Sequence, residues 1–230
     1  MKFQSQSGIA IGPILLLIAI LAILGAAIAA SNGFFTSGTS TENANTIAES
    51  IIVQADAVST AVQTVMNGNF CTDSEINFYN GIDGTNANSN APSNHTCDIY
   101  QPAGGGLLQF EFPNAVPANS TYTGASVGLT ADILYPTEHN AIADVGTSAS
   151  DLVLAMYNVS LSICTEINRL VNFNEPTFTP PSNSIWMEKQ FSGTFPSGSS
   201  VNFGGSFTQG CYRDAQYGGA YNYVRVLEAR

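Results

Sequence analysis

Residues 9–30, IAIGPILLLIAILAILGAAIAA, are 22 consecutive uncharged and mostly branched or small residues. About 20 helical residues at 1.5 Å each cross the hydrocarbon core of a bilayer, so the run predicts a membrane-spanning helix. Gly12 and Pro13 fall near its start, where a proline leaves few hydrogen bonds unmade and starts a helix rather than breaking one. Lys2 precedes the run and the next basic residue is Arg169. The positive-inside bias then keeps the N-terminus in the cytoplasm and carries the remainder across the membrane. A cleaved secretory signal is one reading, with Ala27-Ile28-Ala29 as its small-x-small site, although 22 apolar residues exceed the usual length of about 7 to 15. A permanent single-pass anchor is another. Gly8 and Gly12, then Ala22, Ala26 and Ala30, recur at intervals of four, a spacing that lets helices approach closely in lipid but that common Ala and Gly also produce unaided.

The polar leader MKFQSQSG ends in Gly8, and the apolar helix begins abruptly at Ile9. This junction resembles that of a type IV prepilin, and the likeness covers roughly the first 70 residues. The resemblance implies that a prepilin peptidase cuts after Gly8 on the cytoplasmic side and methylates the new terminus at Ile9. It implies further that the subunit sits in the inner membrane with its head exported, then joins other copies in an extracellular filament whose core is residues 9–30. Two positions depart from the family pattern. Pro13 stands at the fifth mature position, where members usually carry Glu, and Ala30 stands near the twenty-second, where Pro is frequent. Without that carboxylate the usual pairing with a neighbouring subunit's terminal amine is lost. A minor or atypical pilin-like subunit fits better than a standard major pilin. The contrasting reading is a secreted or membrane-anchored extracytoplasmic binding domain.

Only 10% of the chain is charged, against about 25% in an ordinary soluble domain. Neutral Gly, Ser, Thr and Asn take the surface positions instead. The balance of 6 basic to 17 acidic residues gives a net charge of −11. A surface of that sign repels phosphate, so nucleic acid is not an expected partner.

Beyond the apolar run, residues 31–40 (SNGFFTSGTS) read as a flexible joint, and 41–230 as one exported head domain. Thr41 to Asn67 places Ala44, Ile47, Ile51, Ala55, Val58, Val62, Val65 and Met66 at steps of three or four, the stripe of an amphipathic helix. Glu42 opens that helix, and Asn67-Gly68 predicts a left-handed stop. Residues 80–94 are almost all loop formers. Alternation after Gly104-Gly105-Gly106 predicts a strand from Leu107 to Phe112, and Val127 to Tyr135 offers another. A second helix is expected from Ser150 to Asn172, with Leu152, Met156, Val159, Ile163, Ile167 and Leu170 on one face and Ser148 or Ser150 as cap. Ile185–Phe191, Val201–Phe207 and Ala220–Glu228 read as three strands of an antiparallel meander. The fold class expected is α+β, with helices set against an antiparallel sheet.

Cys71, Cys97, Cys164 and Cys211 fall on the far side of the membrane, where disulfides are the default. Of three possible connectivities, Cys71 with Cys97 and Cys164 with Cys211 close the shortest loops and are preferred. Spacings of 26, 67 and 47 contain no CxxC, so zinc ribbons and dithiol redox chemistry lack support. Gly124-Ala125-Ser126-Val127-Gly128 matches GxSxG, with His139 and Asp144 downstream. However, no buried strand precedes the serine, Pro136 interrupts the segment after it, and the Asp would have to precede the His. No enzyme activity, metal or cofactor is expected. His95 and His139 read as surface loop residues. Asp83, Asn86, Asn88 and Asn90 lack the register and closing Glu of a calcium loop. The sequons at Asn94, Asn119 and Asn158 are what so many Asn, Ser and Thr give by chance. Tyr212, Tyr217, Tyr221 and Tyr223 suggest either a contact surface or, preferably, a last strand whose Tyr221, Tyr223 and Leu227 pack on a helix.

Overall fold

The structure, a computed structural model, describes residues 42–79, 87–115, 134–137, 141–183, 191–195, 200–201, 208–215 and 219–230. The chain divides into two units, Met1–Asn43 and Ala44–Arg230. All described residues except Glu42 and Asn43 belong to the second. The expected membrane helix at 9–30, the leader and the joint lie outside the described residues, among which no helix is long and apolar enough to cross a membrane.

Helix α1 covers 42–68. Ala44, Ala48, Ile51, Ala55, Val58, Val62 and Val65 are each at most 5% exposed, a strict alternation of four and three that lays one narrow stripe on the core. Ile47 and Met66, expected in the stripe, only flank it. Most of these side chains are Ala or Val, so the helix axis lies close to what it covers. The stop differs from the expected one: the left-handed residue is Phe70 (φ 58°), not Gly68, and the Cys71 amide turns back to bond Val65 O at 3.2 Å.

Among the described residues the strands are β1 (Tyr135–Thr137), β2 (Ala141–Ile142), β3 (Leu152–Val159), β4 (Ser182–Asn183), β5 (Ser200–Val201), β6 (Gln209–Asp214) and β7 (Tyr221–Glu228). Five form a sheet in the order β1-β3-β7-β6-β4, and β2 pairs with β5 apart from it. The pairs β1–β3, β3–β7 and β6–β7 are antiparallel, whereas β4 joins β6 in parallel. The α+β class holds. The expected C-terminal meander does not, because β7 sits between its hairpin partner β6 and the mid-chain strand β3.

The second helix is α2, Leu161–Leu170, and the residues before it correct the sequence reading. Leu152–Val159 is strand, buried along nearly its whole length. Leu152, Leu154 and Met156 enter the core beneath the helices, while Val153, Ala155 and Tyr157 enter a second core with Ile142, Tyr212 and Val224. A strand buried on both faces is a continuous apolar run, which periodicity alone cannot distinguish from a buried helix. The chain leaves the strand through Asn158 at φ 56°, and the helix N-cap is Ser160, not Ser148 or Ser150.

Residues 107–112 join neither described sheet as a strand. Of Leu108, Phe110 and Phe112, the apolar residues of the expected alternation, Phe112 packs on the core together with Leu107, whereas Leu108 and Phe110 are 74% and 54% exposed. The segment is held against α1: Gln54 Nε2 donates to Leu108 O at 3.1 Å, and a Cβ on Gly105 would lie 3.1 Å from that of Ala61. Leu107 N still bonds Ile99 O at 3.1 Å, and at Leu108 O the side-chain donor takes the place of a strand partner. Strand β6 carried no sequence expectation at all. Residues 185–190 and 202–207, most of two expected strands, lie outside the described residues, and Phe191 is buried but not in a strand.

Candidate functional site

Both preferred disulfides are present, Cys71–Cys97 and Cys164–Cys211, at separations of 26 and 47 residues. The first closes a loop whose interior is built from asparagine. Buried Asn88 donates through Nδ2 to Ser74 O and Ile76 O at 2.7 and 2.8 Å, and its Oδ1 accepts from Asn90 N at 2.8 Å. Asn77 Oδ1 accepts the Asn88 amide at 2.9 Å, and Asn77 Nδ2 donates to buried Asp98 at 2.8 Å. These side chains stand in for the ladder that an irregular chain cannot form, which satisfies backbone groups buried away from water. Asn88 and Asn90, weighed above as calcium ligands, thus serve the loop itself, while Asp83 and Asn86 lie outside the described residues. Among the described residues, no cluster of His, Cys, Asp and Glu is arranged to hold a metal.

His95 is exposed as expected, yet its ring is engaged: Nδ1 lies 2.7 Å from Asp98 Oδ2, with the carboxylate fully buried. An imidazole oriented by a carboxylate is the arrangement of a general base. Among the described residues, however, no hydroxyl or thiol hydrogen-bonds this ring. The GxSxG string at 124–128 and His139 lie outside the described residues, and Asp144 occupies a left-handed turn position (φ 64°).

A recess of about 430 Å³ opens between α1, the end of α2 and the start of β6. Ile52, Val53, Leu170 and Phe173 give it apolar walls, and Glu49, Asn172, Thr208 and Gln209 rim it with polar groups. The volume is in the range of small-molecule sites, about 300–1,000 Å³. Gln209 also belongs to a polar seam beside the recess. Its Oε1 accepts from Arg225 Nη1 at 2.8 Å and from Tyr223 Oη at 3.3 Å, and Arg225 pairs with Asp56 of α1. Burial pushes the Tyr223 phenol well above its ordinary range. That ring is a buried donor, not an exposed acid.

The tyrosine cluster is resolved in favour of packing. Tyr212 and Tyr223 are fully buried; Tyr223 and Leu227 belong to the core under the helices, and Tyr221 packs against it. Tyr217 and the processing positions Gly8 and Ile9 lie outside the described residues. Sequence reasoning passed over Asn168, which is fully buried on the face of α2 that carries Cys164. The signal was one polar residue inside an apolar stripe, four places from a cysteine. Comparison with known protein families, with curated proteins and with solved structures finds no match.

Proposed function

We propose that the chain is a structural subunit of a type IV pilus-like extracellular filament, held first in the inner membrane with its N-terminus in the cytoplasm. A prepilin peptidase cuts between Gly8 and Ile9, and copies then associate through residues 9–30. The observation that carries this reading is the junction itself, a short polar leader ending in glycine directly before 22 uncharged apolar residues. An α1 packed through small side chains, and a head stapled by two disulfides, support it as the parts such a subunit needs outside the cell. Pro13 in place of the usual Glu favours a minor or atypical subunit. The mature N-terminus, measured by mass spectrometry, tests the proposal. A chain beginning at methylated Ile9 supports it, and one beginning at Ser31 or at Met1 overturns it.

The second reading is an exported or anchored binding domain, favoured by the recess of about 430 Å³ with its apolar walls and polar rim. It predicts a monomeric head whose mature chain begins near Ser31 or remains uncut.

A further inference from the structure

Three Asn-x-Ser/Thr triplets occur, at Asn94, Asn119 and Asn158, and Asn119 lies outside the described residues. The other two are built in opposite ways. Asn158 lies inside β3, its amide donating to buried Asn222 Oδ1 at 3.0 Å. At the other end of that triplet, Ser160 N donates to Ala115 O at 2.8 Å. An enzyme drawing this triplet into its own cleft would have to take the strand out of the sheet.

Asn94 is exposed, in the loop closed by Cys71–Cys97. Its Oδ1 accepts from Thr96 Oγ1 at 2.8 Å and from Thr96 N at 3.2 Å. The carboxamide oxygen is thereby committed, while Nδ2 has no acceptor among the described residues. The turn is anchored from behind: Asn69 Nδ2 donates to Thr96 O at 2.7 Å, His95 between the two residues is left-handed (φ 63°), and its ring is tied to Asp98. An exposed amide nitrogen thus stands beside the hydroxyl that completes the recognition triplet.

We propose that Asn94 is an acceptor for an N-linked glycan, delivered from a lipid-pyrophosphate-linked oligosaccharide by a membrane oligosaccharyltransferase. The inference rests on the outward placement of the head in the function proposed above. In the transfer, Asn94 Nδ2 bonds to the anomeric carbon and the bond from that carbon to the pyrophosphate oxygen breaks. The lipid pyrophosphate leaves with the electron pair, and the amide proton passes to a carboxylate of the transferase. A glycan at this loop would add hydration to a chain in which only 10% of residues are charged.

The test is peptide mapping by mass spectrometry of the full chain purified from its native cells, as wild type and as Asn94→Gln, Thr96→Val and Thr96→Ser. Expected are whole sugar residues on Asn94, complete loss of them in Asn94→Gln and Thr96→Val, retention in Thr96→Ser, and an unmodified Asn158. A bare Asn94 on a chain with both disulfides formed overturns the proposal, as does sugar on Asn158 in its place. A bare Asn94 on a chain with four free thiols overturns the outward placement itself, and the glycan with it.

Discussion

Asn168 closes both backbone hydrogen bonds of Cys211: its Nδ2 donates to Cys211 O at 3.0 Å, and its Oδ1 accepts the Cys211 amide at 2.6 Å. Both residues are fully buried. The short parallel strand β4 pairs with β6 only at Arg213 and Asp214, so a side chain from α2 takes the place of a strand at Cys211. The disulfide from Cys164, one turn earlier on the same helix, fixes the same two elements covalently.

Replacing Asn168 with Ala should therefore destabilise the head by about 2–4 kcal/mol, because an unsatisfied buried donor or acceptor costs roughly 1–3 kcal/mol. Asn168→Asp keeps an acceptor for the amide but supplies no donor for the carbonyl, and it adds a buried charge. Urea denaturation of the three proteins measures this. An alanine variant within about 0.5 kcal/mol of wild type, the ordinary range for surface changes, would show that the carboxamide is dispensable.

Cutting the cross-links should loosen the head unequally. In the chain-entropy account, closing loops of 26 and 47 residues stabilises by about 3.5 and 4 kcal/mol respectively. The paired Cys→Ser variants should each lower the urea midpoint, with the Cys164/Cys211 pair showing the larger drop. Titration of thiols in the native protein should find none, and any stoichiometric thiol sinks the prediction.

Glu75 should make part of the stability acid-sensitive. Its Oε2 accepts from Thr72 N and from Thr72 Oγ1, both at 2.8 Å. The backbone bond first, and the hydroxyl second, hold the carboxyl below its ordinary value near 4.5. The unfolded chain then takes up the proton more readily than the folded one, so the contribution is complete above about pH 4.5 and is lost as pH falls through the depressed folded value. The stability gap between wild type and Glu75→Gln should narrow steadily in denaturation series run below pH 4.5. A gap that is constant with pH would refute the linkage.

How far the fold could be read in advance depended on whether a pattern has one structural meaning. The α1 stripe does, since a sustained three-and-four spacing over so many turns fits only a helix buried on one face. The disulfide pairing followed from loop length. The segment from Leu152 to Val159 has no such single meaning, because its burial comes from partners on both sheet faces that local periodicity does not encode. Residues 107–112 failed for a related reason: alternation predicts a ladder, but Leu108 O is bonded by Gln54, 54 positions earlier, and not by a strand. Candidate sites were legible only as residue types. That Asn88 holds a loop while Asn94 faces solvent is decided by tertiary contacts.

The sharpest test of the filament reading is a single substitution at Gly8. A peptidase that cuts after this residue needs a minimal side chain next to the scissile bond, so Gly8→Val should block processing and leave a precursor longer by the eight-residue leader. A signal peptidase acting near Ala29 would be indifferent to position 8, and a permanent anchor would be unprocessed in either form. Intact mass of the membrane-extracted wild type and variant distinguishes the three outcomes. Two outcomes would end the pilin reading: identical masses for chains beginning near Ala30, which mark a cleaved signal, or chains that both begin at Met1 and differ only by the Gly-to-Val change, which mark an anchor.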